Sequence, residues 1–305
     1  MSNPTNFIDL YVEVRENVMD SLDLAELSLF ASANSVLHSA VEKYIQRRRL
    51  IIFALFINNP QEFIGILQIT DSVISGSAAL NIVQARQGAV EINDLDVYTT
   101  LANFGDLIRF FTDKEHYKIV GDFHRPPPGP YNNTGIAKVF RLKKKERKID
   151  IIVTHLTAAA SLIFQFHNTI VMNFISAEAV FCAYPGWTLN MLGLVHPRMY
   201  KQNGTNLSTI KALAKYMKRG FSLYSDIAEL GPHDSQCIKT YYCPQITRST
   251  NDKGKVAWVF NRTGRESGTV GSVMHIDKSA IVWCLGGDQC ADETYAGSPS
   301  FVFAT

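Results

Sequence analysis

The chain has 305 residues, of which 46% are hydrophobic and 19% charged, and its net charge is +2. That composition excludes a mainly disordered chain and is too nearly neutral for a protein that coats nucleic acid, although local basic patches remain open. The first nine residues lack the basic stretch and apolar run of an export signal, so the expected compartment is the cytoplasm or nucleus. The five cysteines (Cys182, Cys237, Cys243, Cys284, Cys290) are expected as thiols or metal ligands before disulfides.

Along residues 7–57, apolar positions recur at helical spacing, among them Leu22, Leu24, Leu27, Phe30, Leu37 and Val41. This predicts an N-terminal helical segment, residues 1–69. From about Thr70 the pattern changes to short strands alternating with helices. Residues 72–75 read as a strand, 78–86 as a helix, 91–100 as a strand and 104–116 as a helix. Residues 117–123 read as a further strand. After a loop rich in Pro, Gly and Asn, residues 136–142 and 148–153 form a hairpin joined by the basic run 143–147. The apolar stretch 156–184 is interrupted by Gln165, His167, Asn168, Asn173 and Glu178, which are costly in lipid; it is expected as buried helix, with no membrane span. Residues 207–218 read as a helix carrying Lys211, Lys215 and Lys218 on one face. Beyond residue 231 the chain becomes rich in Gly, Ser and aromatic residues, with strands expected at 256–260 and 280–285. The expected organisation is therefore a helical segment (1–69), an α/β core with following helices (70–230) and a small Cys-containing β-rich appendage (231–305).

The chemistry is concentrated between Ile74 and Thr100. Gly76 and Ser77 fall between a strand and a helix, where glycine permits a tight turn and free N–H groups at a helix start receive phosphate. The two-residue spacing of Asp94 and Asp96 directs both carboxylates, and Tyr98 with them, to one face of a strand. Such a pair becomes favourable around a divalent cation. A third acid, Asp150, sits among Ile149, Ile151, Ile152 and Val153, where a lone charge is expensive unless a cation, a hydrogen-bond network or a raised pKa relieves it.

A strand, a Gly-Ser turn, a helix, an Asp-x-Asp strand and a third acid on a later strand make a pattern that resembles the nucleotidyltransferase superfamily. Gly76-Ser77, Asp94-Leu95-Asp96 and Asp150 occupy its positions, over about residues 70–155; the interval from Ser77 to Asp94 is longer than is usual there. The chain also looks like uncharacterised fungal members of that group. The resemblance implies an α/β (α+β) fold with a mixed sheet flanked by helices. It also implies an enzyme that transfers a nucleoside monophosphate from a nucleoside triphosphate to a hydroxyl of RNA, protein or a small molecule. Asp94, Asp96 and Asp150 would be the catalytic residues and would hold two Mg2+ or Mn2+ ions, with Gly76 and Ser77 at the nucleotide. Lys138, Arg141, Lys211 and Lys215 are further candidates for the phosphates. Two rival readings keep the fold: a catalytically inactive binding module, and a toxin-type nucleotidyltransferase. The run "NVMDSLDLAELSLFASANSVLHSAVEKYIQRR" resembles an F-box adaptor but lacks its Leu-Pro opening.

Weaker signals lie elsewhere. Lys143, Lys144 and Lys145 read as a solvated hairpin tip, the loop 124–135 as a lid or a connection, and Cys182 as packing. His155 and His167 are expected in core or surface roles. Cys237 with Cys243, and Cys284 with Cys290, near His233 and His275, are spaced too widely for common zinc pairs, so buried thiols are preferred to zinc.

Overall fold

The computed structural model describes residues 7–84, 90–124, 135–201, 207–231, 242–260, 280–287 and 299–304. Four helices come first: α1 (Val12–Asp20), α2 (Leu24–Ala31), α3 (Ser35–Ala54) and α4 (Pro60–Ile69). Three of them begin at side-chain caps. Asp23 and Glu26 form a reciprocal capping box on α2, Asn34 accepts from Leu37 N–H, and Asn59 accepts from Glu62 N–H just before Pro60.

The core then alternates as expected. Strand β1 (Val73–Ser75) turns into α5 (Gly76–Val83); β2 (Leu95–Thr100) leads to α6 (Phe104–Arg109), which relaxes into one π-helical turn at Phe110–Lys114. Strand β3 (Lys118–His124) precedes the hairpin of β4 (Ile136–Lys144) and β5 (Arg147–Thr154). Short strands β6 (Asn173–Ile175) and β7 (Ala179–Cys182) follow, then α7 (Pro185–Thr188), β8 (Leu192–Leu194), α8 (Arg198–Lys201) and α9 (Leu207–Lys218). Last come β9 (Ser222–Tyr224), β10 (Arg248–Ser249), β11 (Val256–Val259), β12 (Ile281–Cys284) and β13 (Phe301–Ala304).

The fold is α/β, with one mixed eight-stranded sheet in the order β11-β7-β6-β1-β2-β5-β4-β3. Its neighbours are antiparallel except β2 and β5, which run parallel. Strands β10, β12 and β13 make a separate small sheet, while β8 pairs with β9. Strand alternation sorts the side chains into two layers. Leu95, Val97, Ile149, Ile151 and Val153 face the helices α2 to α6 and join Leu27, Phe53 and Phe63 in one core. Tyr98, Ile152, Phe174 and Phe181 face the other way, toward Leu162, Phe164 and Trp283.

One expectation is overturned. Residues 156–184 are not a buried helix: short 3-10 turns at Ala159–Gln165 and Thr169–Val171 lead into β6 and β7, which extend the sheet. Every residue of β6 and β7 is buried, so both faces lie in the core and, Asn173 apart, are apolar, which erases the two-residue alternation that marks a strand. The segment after residue 231 also divides. Its strand β11 is an edge of the main sheet, and only β10, β12 and β13 form the appended sheet.

The N-terminal helices are built into the core. Arg48 Nη2 donates to Asn81 O of α5 at 2.7 Å, and Arg49 Nη1 donates to Ala177 O in the turn between β6 and β7 at 2.9 Å. The Arg49 guanidinium also lies 3.8 Å from the Phe260 ring centroid, and burial lowers its pKa to about 10. Arg49→Met leaves the carbonyl of Ala177 without this donor. We expect a loss of about 1–3 kcal/mol, read as a lower urea midpoint at unchanged m-value, in one transition for helices and sheet together. Two separate transitions would show that the helical segment folds by itself.

The hairpin tip departs from a solvated run. Lys143 and Lys145 are exposed, but Lys144 Nζ donates to Glu115 O at 2.6 Å and lies 3.7 Å from Glu115 Oε2. Glu115 in turn accepts from Asn58 and Asn59 N–H at the start of α4, so Lys144 neutralises a buried carboxylate that ties helix to sheet.

Candidate functional site

The site begins at the turn from β1 to α5. Ser75 lies opposite Asp96 in the antiparallel ladder, and its hydroxyl donates to Asn173 O at 2.6 Å, which fixes the end of β1 to β6. The chain then turns through Gly76 at φ +66°, a conformation that glycine adopts without steric cost. A Cβ at Gly76 would overlap Asp96 Oδ2, so the missing side chain is the space that the carboxylate occupies. Ser77 opens α5 with its hydroxyl buried and without a hydrogen-bond partner. An unsatisfied buried hydroxyl beside free helix N–H groups is a site that favours an anionic acceptor.

Asp96 and Asp150 are direct neighbours across the parallel pair β2 and β5. They share the sheet face that carries Tyr98 and Ile152 two residues on. Asp94 is corrected: it does not lie in the strand with Asp96 but precedes β2 on the connecting bend, and its charge acts on both of the others. Burial raises the Asp96 pKa to about 7, the charges of Asp94 and Asp150 add to the rise, and Lys215 of α9 opposes it. Asp150 is also raised by burial, against which Arg141 pulls; Arg141 Nε lies 3.9 Å from its Oδ2. Three acids separated in sequence therefore converge.

Among the described residues no three Asp, Glu, His or Cys side chains close on one point as a finished metal cage. The acids form an open cluster instead. Hard oxygen donors, partly buried and mutually repelling, are the donor set that Mg2+ and Mn2+ take, with further ligands from water or phosphate. The residues thus fit a divalent cation by their chemistry.

The basic candidates separate. Lys215 and Arg141 belong to the acid cluster by the interactions above. Lys211, one turn before Lys215, is exposed. Lys138 is corrected: it pairs with Val153 in the ladder and so faces the helical layer, where its Nζ lies 5.4 Å from the Phe104 ring centroid. Strand parity sets this face: Lys138 is two residues from Phe140 and three from Arg141, so it shares the face of Phe140 and lies opposite to that of Arg141.

Beyond Asp96 the same face opens into a cavity of about 270 Å³. Tyr98, Val139 and Ile152 form its sheet wall, Leu162, Phe166 and His167 lie over it, and Tyr216 of α9 closes one side. The segment 166–168 is held by a bridge from Asn168 to Val195 and by His196 N–H donating to His167 O at 2.9 Å. His167 lies in this segment; burial lowers its pKa to about 4, aided by Lys215. Sequence reasoning left Phe166, His167 and Tyr216 out of the site. The one available signal was Tyr98, two residues past Asp96 on the same face.

The described cysteines Cys182, Cys243 and Cys284 are buried. Cys237, Cys290, His233 and His275 lie outside the described residues, as do residues 125–134 of the loop expected as a lid. Among the described residues no helix is long and apolar enough to cross a membrane. Comparison of the chain with protein-family models, with curated proteins and with solved structures finds no match.

Proposed function

We propose that the protein is a nucleotidyltransferase, transferring a nucleoside monophosphate from a triphosphate to a hydroxyl group. The observation that carries this reading is the in-register pair of Asp96 and Asp150 on parallel strands, with Asp96 seated against the Gly76 turn. Asp94 and Asp96 would hold a divalent cation, which when bound supplies positive charge to offset that of the phosphates. Gly76, Ser77 and the start of α5 offer N–H and hydroxyl donors to the triphosphate, and Lys215 adds a positive charge beside Asp96.

In the reaction, the acceptor oxygen forms a bond to the α-phosphorus while the bond from that phosphorus to its bridging oxygen breaks. Pyrophosphate departs with the electron pair. Asp150, whose affinity for a proton is raised by burial, takes the proton of the acceptor hydroxyl. Arg141 beside Asp150 moderates that rise and keeps the carboxylate available.

The test is to incubate the full chain with each of the four ribonucleoside triphosphates, Mg2+ or Mn2+, and RNA, protein or small-molecule acceptors, and to measure pyrophosphate release and labelled product. We expect metal-dependent transfer from at least one triphosphate. Triphosphate binding without turnover over that panel would demote the protein to a binding module, and absence of binding would remove the reading.

A further inference from the structure

The cavity beyond Asp96 has a chemistry different from that of the acid cluster at its mouth. Its walls are apolar and aromatic, and Asp96 is its one acidic lining residue among those described. A phosphate chain drawn into it would lose its hydration with little in return, so the phosphates belong outside, at the turn and Lys215. The volume of about 270 Å³ is near the lower end of small-molecule sites, which span roughly 300–1,000 Å³, and suits one compact group.

Two rings define its character. Tyr98 and Phe166 lie with centroids 5.7 Å apart at an interplanar angle of 65°, presenting faces and edges to a third ring. The polar groups over the cavity are neutral: the Gln165 amide and the His167 imidazole, which burial and Lys215 keep unprotonated at neutral pH. A neutral imidazole and an amide each provide both a donor and an acceptor, the set that matches the edge of a heterocycle and not a charged group.

We propose that this cavity seats an uncharged, flat heteroaromatic ring, packed against Tyr98 and Phe166 and bonded at its edge by His167 and Gln165. The ring site rests on the cavity alone. Whether the ring belongs to the triphosphate donor or to the acceptor rests on the nucleotidyltransferase reading.

The experiment uses the full chain without metal. Adenosine, guanosine, cytidine, uridine and, as a bare ring, indole are titrated by ligand-observed NMR and calorimetry. At least one is expected to bind, with affinity reduced tenfold or more in Val139→Trp, which fills the cavity, and about tenfold in His167→Gln, which retains a polar side chain. His167→Gln supplies the answer should Val139→Trp fail to fold, as judged by circular dichroism. The bound compound is then titrated against its parent triphosphate (ATP for indole) with Mn2+. Competition assigns the ring to the donor, and joint binding assigns it to the acceptor. If none of the five compounds binds, or if binding is unchanged in the folded variants, the proposal is overturned. Ring binding without pyrophosphate release would instead retain the cavity and remove the transferase reading.

Discussion

Asp96→Asn is expected to lower metal-dependent transfer by at least about 1,000-fold and, at pH 8, to raise the thermal midpoint of the metal-free protein. Both effects have one cause. Asp96 ionises near pH 4 in an unfolded chain but near 7 in the folded protein, because burial and the charges of Asp94 and Asp150 disfavour its anion. The protonated form therefore contributes stability that is fully present below about pH 4 and is lost as the pH rises through about 7. Asparagine cannot ionise, so the variant avoids that loss, with a gain of order 1–3 kcal/mol at pH 8 that fades toward pH 4. Added Mn2+ should stabilise the parent protein at pH 8 and the variant much less, since the cation supplies what the paired anions lack. Thermal unfolding at pH 4, 6 and 8, with and without Mn2+, measures this. A variant less stable than its parent at pH 8, or equally stabilised by Mn2+, would contradict the assignment.

Gly76→Ala should impair the site from its other side. At φ +66° an L side chain is strained, and the added methyl overlaps Asp96 Oδ2, so the carboxylate must move or the turn must open. We expect a stability loss of about 1–3 kcal/mol and a fall in transfer of about 100-fold or more, because small displacements of a catalytic group are that costly. Gly220→Ala is the control for strain alone. Its φ is +89°, yet a Cβ there would meet only Met191 Cε at 3.6 Å, an ordinary contact. That variant should lose about 1 kcal/mol and keep its activity. Equal activity losses in the two variants would show that the contact between Gly76 and Asp96 has no special part.

Much of the fold was legible where one physical rule acts locally. The hairpin of β4 and β5 and the bounds of α9 follow from alternation broken by turn residues and from a single exposed helix face. The strands β6 and β7 were misread because burial on both faces removes the contrast that periodicity depends on. Lys138 and Arg141 are three residues apart in β4, so alternation alone puts them on opposite faces, and an expectation that joined both at the phosphates went against strand parity.

By itself the sequence determined which acids and which turn were candidates, whereas the parallel pairing of β2 with β5 made Asp96 and Asp150 neighbours. The faces of Asp96 and Asp150 within their strands and the turn at Gly76 follow from residue type and strand parity, which are local properties. Tertiary structure alone decided what surrounds that cluster. Lys215 comes to it from α9, and Phe166 and His167 come from an irregular segment. These placements depend on strand order, ladder register and the packing of distant segments over one sheet face, and such long-range pairings leave no periodic trace along the chain.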